Sequence, residues 1–193
     1  MQIKLGDISL SFHEQKLSFN KTNIENIFSE RNESSLRGFL LYRKYSKFYI
    51  NVQENYQEYM DLKLGDFLLE CKERGDDFYL NFLNEYGDLA FSEFKIAEKN
   101  IINEKGLFIC CHKKELKLVK ACQDSFKKNI NELGKVRTED CFLDGKPEVC
   151  YINSLFNKYQ DDLKFYVCVI KDKDLSNILE KKLLSKYLPE WNS

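Results

Sequence analysis

The chain has 193 residues, of which 43% are hydrophobic and 32% are charged, and its 30 basic and 31 acidic side chains give a net charge of -1. Disordered proteins have fewer apolar residues and a larger charge imbalance, so this composition excludes global disorder. The near-zero net charge also excludes the uniformly basic surface of a dedicated nucleic-acid-binding protein.

The length suits one domain over residues 1–193, with a possible subdivision into a mostly β part (1–98) and a mixed α/β part (99–193). Polar and apolar residues alternate over residues 8–12 and 17–19, which predicts an N-terminal hairpin. Thr22 followed by Glu25 has the spacing of a capping box and predicts a short helix through residue 29.

The middle of the chain predicts further strands, because short apolar runs are separated by turn residues. Gly-Asp pairs near residues 75 and 87 suit hairpin turns, since glycine accepts the positive φ that such turns need. The predicted strands are one pair and a three-stranded meander: 39–42 with 48–52, and then 67–71, 78–83 and 89–96.

The second half predicts two buried strands, 107–111 and 165–170, because both segments are continuously apolar. Apolar residues recur at steps of three or four over 113–135, which predicts a helix ending at Gly134. A last helix is expected to begin at Asp174 and to end before Pro189. The predicted fold is therefore α+β, with an antiparallel or mixed sheet, N-terminal hairpins and a meander, packed by about three helices.

Seven cysteines, an odd number partly embedded in apolar runs, indicate reduced thiols that behave as small hydrophobic residues. Cys141 and Cys150 flank a predicted turn at residues 144–147. If that turn closes a hairpin, the two side chains face each other within disulfide distance. In a reducing compartment we expect them to remain thiols.

No apolar run approaches the roughly 18–20 residues that cross a bilayer, and the first ten residues lack the pattern of a signal peptide. We therefore expect a cytoplasmic protein with no membrane partner. Phosphate-loop, dinucleotide-binding, zinc-protease and serine-hydrolase motifs are missing from the sequence. The only histidines are His13 and His112, so we predict a non-catalytic protein with no cofactor and no metal site.

The charge is distributed unevenly along the chain. Residues 51–90 contain ten acidic and three basic side chains, together with several tyrosines and phenylalanines. Acidic groups steer a basic partner over long distances, and aromatic side chains supply contact energy. The predicted partner-binding residues are Glu54, Glu58, Asp61, Glu70, Glu73, Asp76, Asp77, Tyr56 and Tyr59.

These features favour a protein-binding protein, such as an immunity protein (antitoxin) that neutralises a bacterial toxin, for example a basic nuclease. A phage anti-defence inhibitor fits the same features. A second alternative is a Mg²⁺-dependent nuclease-like enzyme, in which Glu93 and Lys95 share a strand and Asp76 lies on a neighbouring one. Nucleic-acid binding through lysines between 113 and 128 is the less favoured hypothesis, and the oligomeric state stays open.

Overall fold

The computed structural model describes residues 1–97 and 101–192, and the chain divides into two compact units. The sheet unit comprises Met1–Thr22, Ser92–Lys135 and Leu155–Ser193, and the helical unit comprises Asn23–Phe91 and Val136–Ser154. Three antiparallel sheets and several helices confirm the predicted α+β class. Organisation as a single domain stays a prediction.

The strands of the described residues are, in chain order, β1 (Gln2–Leu5), β2 (Ile8–Ser11), β3 (His13–Gln15), β4 (Leu17–Ile24), β5 (Phe91–Ile96), β6 (Gly106–His112), β7 (Glu115–Cys122) and β8 (Leu163–Val169). β1 and β2 form a hairpin, β4 pairs with β5, and a four-stranded sheet has the order β3–β8–β6–β7. Both predicted apolar strands are confirmed as β6 and β8, which pair with each other at the centre of that sheet.

The α-helices of the described residues are α1 (Leu36–Phe39), α2 (Tyr49–Asn55), α3 (Leu64–Glu73), α4 (Phe126–Leu133), α5 (Pro147–Tyr159) and α6 (Lys173–Tyr187). Short 3₁₀ turns occupy Ile27–Glu30, Ser46–Phe48, Gln57–Tyr59, Asp77–Phe82, Thr138–Cys141 and Glu190–Asn192. The helical unit is therefore built mainly from short helices, which the sequence patterns did not predict.

In the sheet unit, one core cluster joins the β1–β2 hairpin, the central sheet and α6. Leu10, Ile109, Cys168, Leu179 and Leu183 are among its buried members. Because β6 is buried along six of its seven residues, its sequence needs no polar alternation. The predicted last helix is confirmed as α6.

The open edge of β7 is covered by the end of the chain. Asn192 Oδ1 accepts a hydrogen bond from Val119 N at 2.8 Å, and Asn192 Nδ2 donates to Val119 O at 2.7 Å. Glu180 Oε1 accepts from Ala121 N at 2.9 Å. These side chains satisfy backbone groups that an edge strand otherwise presents to other chains.

The core of the helical unit is rich in aromatic side chains. Tyr45 is fully buried, with its ring 4.4 Å from that of Phe39 and 5.9 Å from that of Phe82. Tyr45 Oη donates a 2.6 Å hydrogen bond to Asp144 Oδ1, so the buried hydroxyl is satisfied. The pKa of Tyr45 is raised by burial and by this carboxylate.

Several strand predictions for the middle of the chain are wrong. Residues 39–42 lie at the end of α1 and in the turn after it, 48–52 enter α2, and 67–71 lie inside α3. Ser35 Oγ accepts a hydrogen bond from Gly38 N and so caps α1, the helix that contains Phe39. Of the predicted meander, only residues 91–96 form a strand, β5.

The predicted N-terminal hairpin is present as β1–β2, but the predicted pairing of 8–12 with 17–19 is wrong, and so is the predicted helix over 22–29. β2 pairs with β1 and β4 pairs with β5, so the two alternating segments do not pair with each other. β4 continues to Ile24, and only the 3₁₀ turn over Ile27–Glu30 is helical in that region. In addition α6 is capped by Asp172, whose Oδ1 accepts from Leu175 N at 3.0 Å, instead of by Asp174.

The predicted helix over 113–135 is half wrong. Its first part is the β6–β7 hairpin, in which Lys113 and Lys114 make the turn with φ of 48° and 70°. Its second part is confirmed as α4, which begins after Ser125 and has Gly134 as its C-cap. Hairpin turns with positive φ are usually made by Gly, Asn or Asp, and lysine seldom adopts a positive φ. The two lysines therefore do not predict this hairpin.

The predicted hairpin around residues 144–147 is wrong as well, because Cys141 ends a 3₁₀ turn and Cys150 lies in the first turns of α5. The two thiols nevertheless meet through a side-chain hydrogen bond, and Cys150 Sγ donates to Asp140 O at 3.3 Å. That thiol contact and burial raise the pKa of Cys141. All seven cysteines of the chain are buried, free thiols.

Candidate protein-binding surface

All nine predicted partner-binding residues lie in the helical unit, on α2, α3 and the 3₁₀ turns beside them. Five of their carboxylates are exposed, at Glu54, Glu58, Asp61, Glu73 and Asp77. Glu70 and Asp76, like Tyr56 and Tyr59, are only partly exposed. The acidic segment is therefore a surface feature of one compact unit.

The division into units sharpens the charge asymmetry. The helical unit has 17 acidic and 10 basic side chains, whereas the sheet unit has 14 acidic and 20 basic side chains. A chain of net charge -1 thus consists of one unit at -7 and one at +6. Such an excess of acidic groups on one unit produces a negative potential that reaches beyond single contacts.

Tyr56 is held on both its ring and its hydroxyl. The ring stacks on Phe78 with 4.6 Å between centroids, and Tyr56 Oη donates to Asp76 Oδ2 at 2.9 Å. Asp76 also caps the next 3₁₀ turn, since its Oδ1 accepts from Phe78 N at 3.0 Å. Tyr56 is therefore part of the fold of this surface, which limits its role as a contact to its exposed portion.

Arg74 is a basic residue that contacts three of the predicted partner-binding residues. It donates from Nη1 to Tyr59 Oη at 2.7 Å, and its guanidinium lies 5.0 Å from the centroid of the Tyr59 ring. Ion pairs of 3.9 Å join it to Glu70 and to Asp76. The negative charge of these two carboxylates is accordingly compensated within the unit.

The remaining predicted carboxylates fall into two groups. Asp61 pairs with Arg37 at 3.1 Å, in an exposed contact that contributes little to stability. Glu54, Glu58, Glu73 and Asp77 make no ion pair within the described part of the chain. These four uncompensated groups are the ones that a basic partner would meet.

The pKa of Tyr56 offers a direct check of this arrangement. Burial, followed by the hydrogen bond to Asp76 and the charge of that carboxylate, raises it to about 12. A raised phenol pKa stabilises the folded protein below the ordinary value of about 10, and this contribution is lost as the pH rises from about 10 to about 12.

We expect ultraviolet titration of phenolate formation to show a late ionisation step near pH 12, and Tyr56→Phe is expected to reduce that step by one phenol. Asp76→Asn keeps the phenol but removes the negative charge beside it, so the same ionisation is expected at lower pH. A late step of unchanged size in Tyr56→Phe would contradict the assignment.

The nuclease alternative assumed a strand pair that does not form. Residues 78–83 lie mostly in the 3₁₀ turn Asp77–Phe82, so no strand carries Asp76 beside β5. Glu93 instead lies between Lys21 at 3.7 Å and Lys135 at 3.8 Å. Over residues 1–97 and 101–192, no three His, Cys, Asp or Glu side chains are placed to hold a metal ion.

The lysines between 113 and 128 do not share one helix face, because they are distributed over a turn, a strand and α4. Lys117 forms ion pairs with Glu115 at 2.9 Å and with Glu190 at 2.8 Å. Lys128 pairs with Asp124 at 2.6 Å. The uniform basic stripe assumed by the nucleic-acid hypothesis is therefore absent from this part of the structure.

The sequence patterns missed several exposed apolar side chains of the helical unit. Leu41 is 77% exposed, Ile50 69%, Tyr42 58% and Leu80 45%. They were missed because the segments around Tyr42 and Ile50 were predicted as strands with buried faces. The helical period, which places Ile50 and Glu54 one turn apart on α2, was the signal that would have found Ile50.

Comparisons with models of protein families, with curated proteins and with solved structures find no match. None of the described helices is both long and apolar enough to span a bilayer.

Proposed function

We propose that this is a non-catalytic binding protein whose acidic helical unit receives a basic protein partner, as an immunity protein (antitoxin) does with its toxin. The observation that carries the proposal is the excess of surface carboxylates on this unit, four of them uncompensated, beside exposed apolar side chains. Neutralising a toxin requires only that its functional surface be covered, so no catalytic group is needed.

α2 shows how charge and apolar contact combine. Ile50 is 69% exposed and Glu54 follows it by four residues, so both side chains project from one side of the helix, while Val52 is fully buried. The carboxylate accelerates the approach of a basic partner, and the isoleucine supplies apolar area once the two proteins meet. Isolated exposed apolar residues are common, but here they accompany uncompensated charge.

A basic nuclease toxin is the partner class that we favour, because such a protein must itself present positive charge to its nucleic-acid substrate. We place the complex in the cytoplasm, where a nuclease toxin would meet its substrate and where seven free thiols would remain reduced.

The test uses the protein encoded by the reading frame next to this one, purified in an inactive form. Replacing Glu54 and Glu58 by lysine is expected to weaken binding at low salt by about tenfold or more, mainly through slower association. Surface plasmon resonance at two salt concentrations measures both rates.

Asp161 and Asp162 provide a matched control, since both are exposed residues of the sheet unit and their change to lysine alters the net charge equally. We expect that control to change binding far less. Equal effects of the two double variants, or unchanged affinity in Glu54→Lys/Glu58→Lys, would count against the acidic surface.

A further inference from the structure

A cavity of about 330 Å³ opens on the helical unit, and its lining includes Glu33, Ser34, Phe39, Tyr42, Leu64 and Glu139. We name it the Tyr42 pocket. Glu33 and Glu139 are exposed, whereas Phe39 and Leu64 are at most 1% exposed. The pocket thus combines buried apolar groups with carboxylates that water can reach.

Tyr42 provides an accessible aromatic ring. It is 58% exposed, and its ring contacts the Phe39 ring edge-on with 5.4 Å between centroids. Contact with a buried neighbour restricts the ring while leaving much of it open to solvent. Cationic groups, and guanidinium groups in particular, bind over such rings.

The pocket lining also includes a positive charge, that of Arg31, and a carboxylate outside the lining compensates it. The Arg31 guanidinium lies over two neighbouring rings, 4.7 Å from the centroid of Phe39 and 4.5 Å from that of Phe142. Its Nη1 is 4.0 Å from Asp144 Oδ1, so a carboxylate outside the pocket lining balances it. Glu33 and Glu139 make no ion pair among the described residues, and they leave the pocket with excess negative charge.

Arg31 is not available to a ligand through its Nη1 atom. That atom is buried, so neither water nor a ligand atom reaches it. The groups that the pocket offers to a ligand are therefore its apolar lining, the Tyr42 ring and the exposed carboxylates of Glu33 and Glu139. A ligand that combines an apolar stem with a cation suits this lining.

We infer that the Tyr42 pocket binds an arginine side chain of the basic partner, an inference that rests on the proposed function for the identity of that partner. The methylene groups lie against the apolar lining, and the guanidinium stacks on Tyr42. Glu33 or Glu139 accepts its hydrogen bonds, since carboxylate and guanidinium match as a two-bond pair.

The experiment titrates the protein with N-acetyl-arginine methylamide and follows backbone amide signals by nuclear magnetic resonance. We expect saturable shifts at Glu33, Ser34, Tyr42 and Glu139, with a dissociation constant in the millimolar range. N-acetyl-citrulline methylamide has nearly the same shape without the charge, and it is expected to bind at least about tenfold more weakly.

Two variants test the pocket itself. Glu139→Gln and Tyr42→Ala change exposed side chains and are each expected to weaken arginine-probe binding severalfold without altering the thermal unfolding curve. Glu25→Gln, at an exposed carboxylate of the same unit outside the lining, serves as the control and is expected to leave probe binding unchanged.

Shifts that do not saturate, or equal shifts with the citrulline probe, would overturn the inference that the Tyr42 pocket binds arginine. The proposed function would then still be decided by the Glu54→Lys/Glu58→Lys measurement with the protein partner. Conversely, saturable arginine binding that Glu139→Gln weakens severalfold supports the pocket even if the neighbouring gene product does not bind. Failure of that gene product to bind would overturn the partner assignment alone.

Discussion

Gly65→Ala is expected to lower the free energy of unfolding by about 3 kcal/mol or more, although it adds a single methyl group. A Cβ at this position would stand 2.0 Å from Ser29 O and 3.0 Å from Asn32 Oδ1. Ser29 O belongs to the backbone, so the first turn of α3 must move away from the Ile27–Glu30 turn. That movement also breaks the 2.9 Å hydrogen bond from Gly65 N to Arg31 O.

Gly38→Ala is the matched control, because it makes the same chemical change in another helix of the same unit. Its Cβ would meet Ser35 Oγ at 3.6 Å and Ser34 Cβ at 3.8 Å, which are ordinary contacts. Alanine is the better helix former by about 1 kcal/mol, so we expect unchanged or slightly higher stability.

Urea denaturation with amide hydrogen exchange as the local readout separates the two variants. Exchange is needed because the chain has one tryptophan, Trp191, and it lies in the sheet unit. We expect faster exchange throughout α3 in Gly65→Ala only. Equal stability of the two variants would show that the close approach of α3 to Ser29 is wrong.

The two central strands of the four-stranded sheet, β6 and β8, could be predicted because their physical signal is local. Residues 107–111 and 165–170 are apolar without interruption, and a strand of that length can be buried on both faces. α6 could be predicted as well, since apolar residues recur at helical spacing before Pro189. In β6 the local pattern and the tertiary contacts agree, whereas the apolar spacing that predicts α6 includes Leu175, Ile178 and Tyr187, which are exposed.

The helical unit could not be predicted because short apolar runs are compatible with strand and helix alike. In α3 the buried residues include Leu64, Phe67, Leu68 and Cys71, which is a helical period, yet the run from Phe67 to Cys71 also resembles a buried strand. What decides between them is packing: Leu64 N donates to Ser34 O and Gly65 N to Arg31 O, across about thirty residues of chain.

The candidate surface, too, could be predicted only in part from the sequence. An acidic excess over residues 51–90 is visible in the composition, but which carboxylates are compensated depends on where Arg37 and Arg74 lie. The Tyr42 pocket joins residues as distant in sequence as Glu33 and Glu139, and no spacing rule connects them. The role of the predicted residues in binding stays a prediction.

Trp191→Ala is expected to destabilise the sheet unit by about 3–5 kcal/mol, the range for removing a buried large aromatic side chain. Trp191 is 3% exposed and stacks on Tyr159, with 5.5 Å between centroids and 11° between planes. Phe156 lies 6.3 Å from it on the same core. Trp191→Phe keeps an aromatic ring there and is expected to cost less than half as much.

Trp191→Ala is also expected to destabilise the edge of β7, because Trp191 anchors the turn from which Asn192 bonds to Val119. Removing the indole releases that amide, so the β7 edge is exposed and can pair with another chain. Asn192→Ala separates the two effects: it removes both hydrogen bonds while Trp191 stays in place, and we expect a loss of about 1–2 kcal/mol.

Circular dichroism during urea denaturation measures the stabilities, and hydrogen exchange at Val119 measures the edge directly. We expect that amide to exchange faster in both Trp191→Ala and Asn192→Ala, with concentration-dependent association in each. If Val119 stays protected in Asn192→Ala, the edge is closed by something other than the end of the chain. A small loss in Trp191→Ala would instead mean that the indole does not hold this turn against the core.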